Sequence, residues 1–410
     1  MPRSPSERAV VFLIGAVQFV NILDFVMVTP LGPFFVKGLG VEASHIGLLA
    51  GSYTAAASVA GFVGSYFLDR FDRRRALGLA MAGLVACTAA GGLSTGLTFL
   101  VATRVLAGVF GGPATSLAYA IIADVIPVER RGRALGAVMG AFSVASVVGV
   151  PLALQAAQLG GWRLPFFSVA GLGLLVVLGA VLLLPPLRGH LAQGPRARVP
   201  LRALLGRREV QLSYTLTATA MAAGFVVIPN FPAYLAQNLG YPVTSLWKVY
   251  LFGGVVSFAT LRVMGPLVDR LGSFRVGSAG TVLVVACTAL LFLHYPRGLP
   301  VPLLFMAFML AMGTRNVAYN TLTSRVPENP VRARFMSLQS AVQHLASASG
   351  AFLGSQLLTD LPDGRLGGVG RVAWVSIVLT ACVAPLLLLV ERRVRRLEAA
   401  RAAGSGRPRS

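Results

Sequence analysis

The sequence predicts an all-α membrane protein: twelve transmembrane helices in two six-helix pseudo-repeats, with both termini cytoplasmic. Three observations predict it: a composition too apolar for a water-soluble fold, a series of apolar runs long enough to cross a bilayer, and short motifs recurring at one offset. Of 410 residues, 55% are hydrophobic and only 12% charged, whereas water-soluble domains carry about a quarter charged residues. A wettable surface cannot be assembled from that mixture, so lipid is the solvent for much of the chain. The same composition excludes a disordered chain, a coiled coil and a secreted disulfide scaffold. Cys87, Cys287 and Cys382 all sit within apolar runs, with no spacing that suggests bridges or a metal. The formal net charge of +22 invites a polyanionic partner. Those charges crowd into short gaps between apolar runs, which argues against nucleic acid.

A hydrocarbon core of ~30 Å takes about 20 helical residues at ~1.5 Å each. Runs of that size lie near 9–35, 46–68, 76–96, 98–122, 134–158 and 164–186. A polar break at 187–209 follows, then six more near 210–235, 245–268, 276–295, 300–322, 335–358 and 371–391. The expected organisation is an N-terminal half (1–186), a cytoplasmic linker (187–209), a C-terminal half (210–391) and a basic tail (392–410). The first run is too long for the apolar region of a signal peptide and lacks a small-residue cleavage site, so no cleavable leader is expected. With the amino terminus inside, 27 of the 36 basic residues fall in cytoplasmic segments, six in outer segments and three within spans. Such enrichment marks the cytoplasmic side.

The two halves repeat. Val-Ala-Cys-Thr-Ala at 85–89 recurs at 285–289, Asp69-Arg70 recurs as Asp269-Arg270, and Pro127 as Pro327, all at an offset of 200. Pro30 and Pro33 match Pro229 and Pro232 at 199. Parallel six-span repeats place a cavity between the halves near the bilayer midplane. That architecture predicts a transporter before any motif is read.

The gap after the second run holds Ser65, then Asp69-Arg70-Phe71-Asp72-Arg73, and its counterpart holds Gly265, then Asp269-Arg270-Leu271-Gly272. These segments resemble the signature loop of the major facilitator superfamily, Gly-x-x-x-Asp-Arg-x-Gly-Arg/Lys. Ser65 and Asp72 stand where that family usually has glycine. A carboxylate at a helix end can meet a neighbouring helix amino end or an arginine, in contacts that form in one conformation and break in another. The resemblance therefore implies a cytoplasmic gate at Asp69, Arg70, Arg73, Asp124, Asp269 and Arg270. Arg74 and Arg75 are read as topology-setting charges.

The fourth run carries Arg104, Gly108, Gly111 and Gly112, and the next gap runs from Asp124 through Pro127 and Glu129 to Arg133; both are similar to the family's pattern. Gly149-Val150-Pro151 in the fifth run is a short form of the family's antiporter motif, although a Gly-Pro pair also bends helices for packing. Asp24 with Pro30 and Pro33, and the stretch Arg332 to Leu338, resemble the drug and sugar efflux branch, in particular its bacterial arabinose-efflux-permease-like, drug:proton antiporter group. The resemblance implies a proton-coupled antiporter exporting drug-like compounds or sugars by alternating access. It would be a multi-pass protein of the bacterial inner membrane, working as a single chain on a small-molecule substrate and protons, without cofactor. A nutrient-importing proton symporter is the nearest alternative, and a transport-inactive sensor or scaffold is one of another class.

Independently of family, an ionisable residue at mid-bilayer costs about 2.5–3.5 kcal/mol even on the mild insertion scale. Gln18, Asn21 and Asp24 recur every third residue and share one helix face, which should look into the cavity and contact substrate. Asp24 suits a proton carrier, neutral in one state and ionised when solvent or a cation reaches it. It could equally be a structural partner of Arg104 or a cap on the break at Pro30. Arg104 and Arg315 cannot release protons, so they would tune Asp24 or hold cargo through their donors. Asn316, Tyr319 and Gln343 join Arg315 as candidate substrate contacts, with Gln339 and His344 beside them. There is no phosphate-binding loop, zinc-protease motif or Cys/His cluster, so neither an enzyme nor a metal site is expected.

Overall fold

The computed structural model describes residues 7–187, 201–296, 298–327 and 332–405. Residues 7–187 form α1 (Glu7–Val26), α2 (Gly32–Leu39), α3 (Ile46–Phe67), α4 (Arg73–Gly92), α5 (Leu97–Val125), α6 (Val128–Met139), α7 (Ala141–Val144), α8 (Val150–Gly160) and α9 (Arg163–Leu183). Residues 201–405 form α10 (Leu201–Leu205), α11 (Arg208–Phe225), α12 (Phe231–Gln237), α13 (Leu246–Leu271), α14 (Ser273–Phe292), α15 (Val301–Ser324), α16 (Arg332–Leu357), α17 (Val369–Ala381) and α18 (Val383–Ser405). A small antiparallel hairpin, β1 (Thr359–Asp360) with β2 (Leu366–Gly367), links α16 to α17. Among the described residues, eleven helical stretches are long and apolar enough to cross a membrane. The linker stretch 188–200 and the tail residues 406–410 lie outside the described residues.

Helices form because lipid offers their backbone groups no partners, and they interrupt where proline removes a donor. The run at 9–35 is two helices: α1 ends at Val26 and α2 restarts at Gly32. Pro30 lacks an N–H and disfavours helical geometry in the residue before it. Pro229 does the same between α11 and α12. A third irregularity is a π-helical turn over Ala145–Gly149, between α7 and α8. Pro151 cannot donate to the carbonyl four residues earlier, and the turn widens there.

Within residues 7–187, α3 packs on α5, and α4 on α5 and α9; within 201–405, α13 and α14 flank α15, and α11 lies against α16 and α17. The two parts of the chain meet along α3 with α16, and along the π turn and α8 with α13. Small residues make both crossings close. A Cβ on Gly47 would sit 2.6 Å from the Ala351 carbonyl oxygen, and one on Gly254 would sit 2.9 Å from that of Ser146. Large apolar side chains such as Leu159 and Phe12 point away from the protein, 86% and 78% exposed, as lipid-facing residues should.

One end of the bundle is fastened across the two parts. Asp360 accepts hydrogen bonds from the backbone N–H groups of Ala43 (3.0 Å) and Ser44 (3.1 Å), at the start of the α3 span. The hairpin carrying Asp360 is itself held to α12, because Asn238 donates to the Leu366 carbonyl at 2.9 Å and accepts from its N–H at 3.0 Å. A cavity of about 480 Å³ lies beside this fastening, lined by Glu42, His45, Ser355 and Asp360 among others.

At the opposite end, two carboxylates cap the third apolar run of each repeat. Asp72 accepts from the Arg74 N–H (2.9 Å) at the start of α4. Its counterpart by offset, Gly272, has φ +88°, a region poorly suited to aspartate. There Glu391, from α18, accepts instead from the Phe274 N–H at 2.6 Å and is held by Arg395 at 2.6 Å.

Candidate functional site

The candidate site is built around Asp24, near the end of α1. Its carboxylate accepts two hydrogen bonds from Arg104 Nη1 on α5, at 3.0 and 3.1 Å, and Thr88 Oγ1 on α4 lies 2.7 Å from Oδ1. Asp24 and Arg104 both have 0% exposure. The guanidinium also lies over the Phe166 ring of α9, 5.1 Å from its centroid, a favourable placement for a desolvated cation. Four helices thus enclose one ion pair. Its Coulombic attraction offsets a desolvation penalty of several kcal/mol per ion. Glycine makes the room, for a Cβ on Gly91 would lie 2.9 Å from Phe166 and 3.0 Å from Arg104 Nη2.

Asn21, three residues earlier in α1, donates to the Gly111 carbonyl (3.0 Å) and to Thr115 Oγ1 (2.7 Å), and accepts from the Tyr53 hydroxyl (2.8 Å). Gly111 is therefore more than a packing residue: a Cβ there would come within 2.8 Å of Asn21 Oδ1. Gln18 is buried with its amide oxygen unpaired. Beside Asp24, Phe25 stacks on Tyr53 at 5.1 Å and on Phe225 at 6.4 Å. These three rings bridge α1, α3 and α11, and so join the two parts of the chain at the level of the ion pair.

On α15, Arg315 is also fully buried. Its Nη2 donates to the Ala220 carbonyl at 3.0 Å and lies 3.2 Å from Met312 Sδ and 3.5 Å from Asn316 Oδ1. Its Nε and Nη1 have no hydrogen-bond partner, and no carboxylate pairs with it among the described residues. Tyr319 is buried one turn on. Gln343 on α16 reaches Asn320 at 3.5 Å, and Gln339 donates to Thr323 at 2.9 Å. Asp24 and Arg315 are not brought together; each keeps its own part of the chain.

Among the gate candidates, Arg73 Nε donates to Asp124 at 2.8 Å, joining the start of α4 to the end of α5. Asp269 pairs with Arg325 at 3.1 Å, joining the end of α13 to the end of α15. Arg70 and Arg270 are exposed. The side chains of Asp69, Glu129 and Arg332 lie outside the described residues. In the Gly149-Val150-Pro151 segment, a Cβ on Gly149 would meet Leu23 Cδ1 at 2.7 Å. The π turn therefore presses on the residue next to Asp24 while its other side faces α13.

Sequence reasoning missed Thr88, Glu391 and Asp360. A signal for Thr88 existed in the repeated Val-Ala-Cys-Thr-Ala segment. Its twin, Thr288, is buried with an unpaired hydroxyl, and the residue matching Asp24 at the proline offset is Ala223.

A multi-span helical bundle with a proline-broken first helix in each repeat, and a fully buried ion pair among four of its helices, is the architecture expected of a membrane transport protein. The comparison with known families agrees: residues 14–351 match the model of the Major Facilitator Superfamily. The chain belongs to that superfamily, as a multi-pass protein of the cell membrane. It is 29% identical over 363 residues to a chloramphenicol resistance protein of Streptomyces lividans, covering 87% of this chain and 89% of the relative. Among solved structures, a bacterial homologue of the human lysosomal transporter Spinster superposes with TM-score 0.77 at 17% identity, over 96% of this chain and 98% of that one. A D-xylose–proton symporter superposes with TM-score 0.71 at 18% identity, over 93% and 96%. Both share the fold.

Proposed function

We propose that this chain is a proton-coupled antiporter that exports small organic molecules from the cytoplasm by alternating access. In this reading α16, 26 residues long and packed between α3 and α11, is a further span, which brings the total to twelve. Both termini then lie in the cytoplasm of a bacterial cell, and 1–186 and 210–391 are the rocking halves.

The observation that carries the proposal is the occluded Asp24–Arg104 pair. Among the described residues Asp24 is the sole carboxylate with no exposure, and it sits beside the Phe25–Phe225 contact that the halves share. When the halves part, water reaches the pair. A proton on Asp24 breaks its pairing with Arg104, and cargo and proton exclude one another because cargo is held only while Asp24 is ionised and the pair is intact. Asp124 with Arg73 and Asp269 with Arg325 act as the cytoplasmic gate. The π turn ahead of Pro151 forms the sliding surface against α13. The chloramphenicol resistance relative supports a drug-like cargo, and Gln18, Asn21, Arg315, Asn316, Tyr319 and Gln343 supply its polar contacts.

The deciding experiment uses inside-out vesicles with an imposed proton gradient and a panel of drugs and sugars. Cargo-induced collapse of the gradient in wild type, and none in Asp24→Asn, is expected. Collapse that persists in Asp24→Asn rules out its proton role, and cargo uptake only along the proton flow establishes symport.

A further inference from the structure

Among the described residues, three ionic side chains have no exposure at all: Asp24, Arg104 and Arg315. Asp24 and Arg104 neutralise each other. Arg315 is left over, and a guanidinium does not shed its proton inside a protein. We infer that Arg315, together with the facing rings of Phe25 and Phe225, forms a subsite for an organic anion bearing a flat aromatic ring, such as an aryl carboxylate. The inference rests on the transport reading above, since it names the cargo class of the same central site.

A buried cation without a counter-ion is costly, yet the repeat that would supply one has Ala223 where its twin has Asp24. Nε and Nη1 of Arg315 remain unpartnered; they lie on different edges of the planar guanidinium, and each offers a charge-assisted hydrogen bond to an anionic oxygen. The protein's own acceptors nearby, the Ala220 carbonyl and Asn316 Oδ1, are neutral and contact only Nη2. Among the described residues no carboxylate supplies the missing charge, and a bound anion would supply it.

Phe25 and Phe225 face each other across the halves with planes 15° apart and centroids 6.4 Å apart, towards the wide end of the stacked range. A modest parting of the halves admits a flat ring between them, with Tyr53 backing Phe25 at 5.1 Å. The two features adjoin, because a Cβ on Gly224, the residue before Phe225, would lie 3.7 Å from Arg315 Nη2. Exchanging such an anion outward for a proton inward moves two elementary charges per cycle in the same electrical sense, so membrane potential drives both.

Calorimetric binding to the full-length protein in nanodiscs tests this with three probes of matched shape. These are 2-naphthoate, its neutral aromatic analogue 2-naphthamide, and its non-aromatic analogue decahydro-2-naphthoate. Naphthoate should bind at least tenfold more tightly than either. Arg315→Gln should abolish the preference over the amide, Arg315→Lys should retain part of it, and Phe225→Leu should abolish the preference over the saturated acid. Equal binding of the amide, an unchanged preference in Arg315→Gln, or no binding of naphthoate to wild type would overturn the inference. If Arg315→Gln does not fold, the wild-type series and Arg315→Lys still decide. Gradient collapse driven by naphthamide alone would sink the anion subsite and leave antiport standing. Naphthoate binding without proton exchange would do the reverse.

Discussion

Asp360 and Ser44 are 316 positions apart in the chain, yet the aspartate carboxylate accepts the serine N–H at 3.1 Å. One oxygen serves Ser44 and the other Ala43, so a single side chain fastens the start of one span to the hairpin after another. Hydrogen bonds to a charged acceptor contribute about 1.5–3 kcal/mol each, and the closed form of this end depends on the pair of them. In Asp360→Ala the population open at this end should rise at least tenfold. Thiol-labelling rates at Ser355→Cys, in a background lacking the three native cysteines, report it; unchanged rates would show that the fastening is incidental.

Removing one partner of the central ion pair strands the other. Asp24→Asn should lower stability by about 3–5 kcal/mol, visible as a lower thermal unfolding midpoint in detergent. The double variant Asp24→Asn with Arg104→Gln should recover much of that loss without recovering coupled transport. A double variant as unstable as the single one would mean that Arg104 contributes mainly through Phe166.

The two ion pairs of the proposed gate should differ in strength. Arg73 and Asp124 are 10% and 26% exposed, whereas Arg325 and Asp269 are 46% and 67% exposed. A double-mutant cycle on transport rate or unfolding should give a coupling of about 1 kcal/mol for the first pair and near zero for the second, where water screens the charges. Equal couplings would contradict this ranking.

Gly254→Ala tests the proposed sliding surface. Its new Cβ would lie 2.9 Å from the Ser146 carbonyl oxygen and 3.0 Å from Val147 Cα, and backbone cannot yield as a side chain can. Transport should fall at least tenfold while expression and folding persist. Gly265→Ala, where a Cβ meets nothing within 4 Å, is the silent control.

Glu391→Ala should cost about 1–2 kcal/mol by uncapping α14. Gly272→Asp should not restore the loss, because φ +88° denies aspartate the geometry that Asp72 uses. Unfolding midpoints of the single and double variants check both statements.

Much of this was legible in the sequence for a simple reason: periodicity and proline are local. Apolar runs, the matching prolines in the first run of each repeat, and the shared face of Gln18, Asn21 and Asp24 all follow from residues within a few turns of one another. The Asp24–Arg104 pairing was one of the options the sequence allowed, since a buried charge needs a partner and few were available. Thr88, Glu391 and Asp360 were hidden because their partners are chosen by packing across the fold. Asp360 sits in a polar loop beside Asp363, and nothing local distinguishes the one that spans two helices from the one that bonds only Arg365. Glu391 looked like an ordinary charge at a helix end until Gly272 showed why α14 needed a carboxylate from elsewhere.

The uncompensated guanidinium of Arg315 has a consequence beyond ligand recognition. A fixed charge within the bilayer feels the electric field of an energised membrane, worth about 2.3 kcal/mol per elementary charge across a full 100 mV. Rocking that carried Arg315 through a quarter of the field would bias the two conformations by about 0.6 kcal/mol, whether or not anything is bound. The resting potential of the cell would thus act on the empty carrier as a sensor input, setting which way it waits.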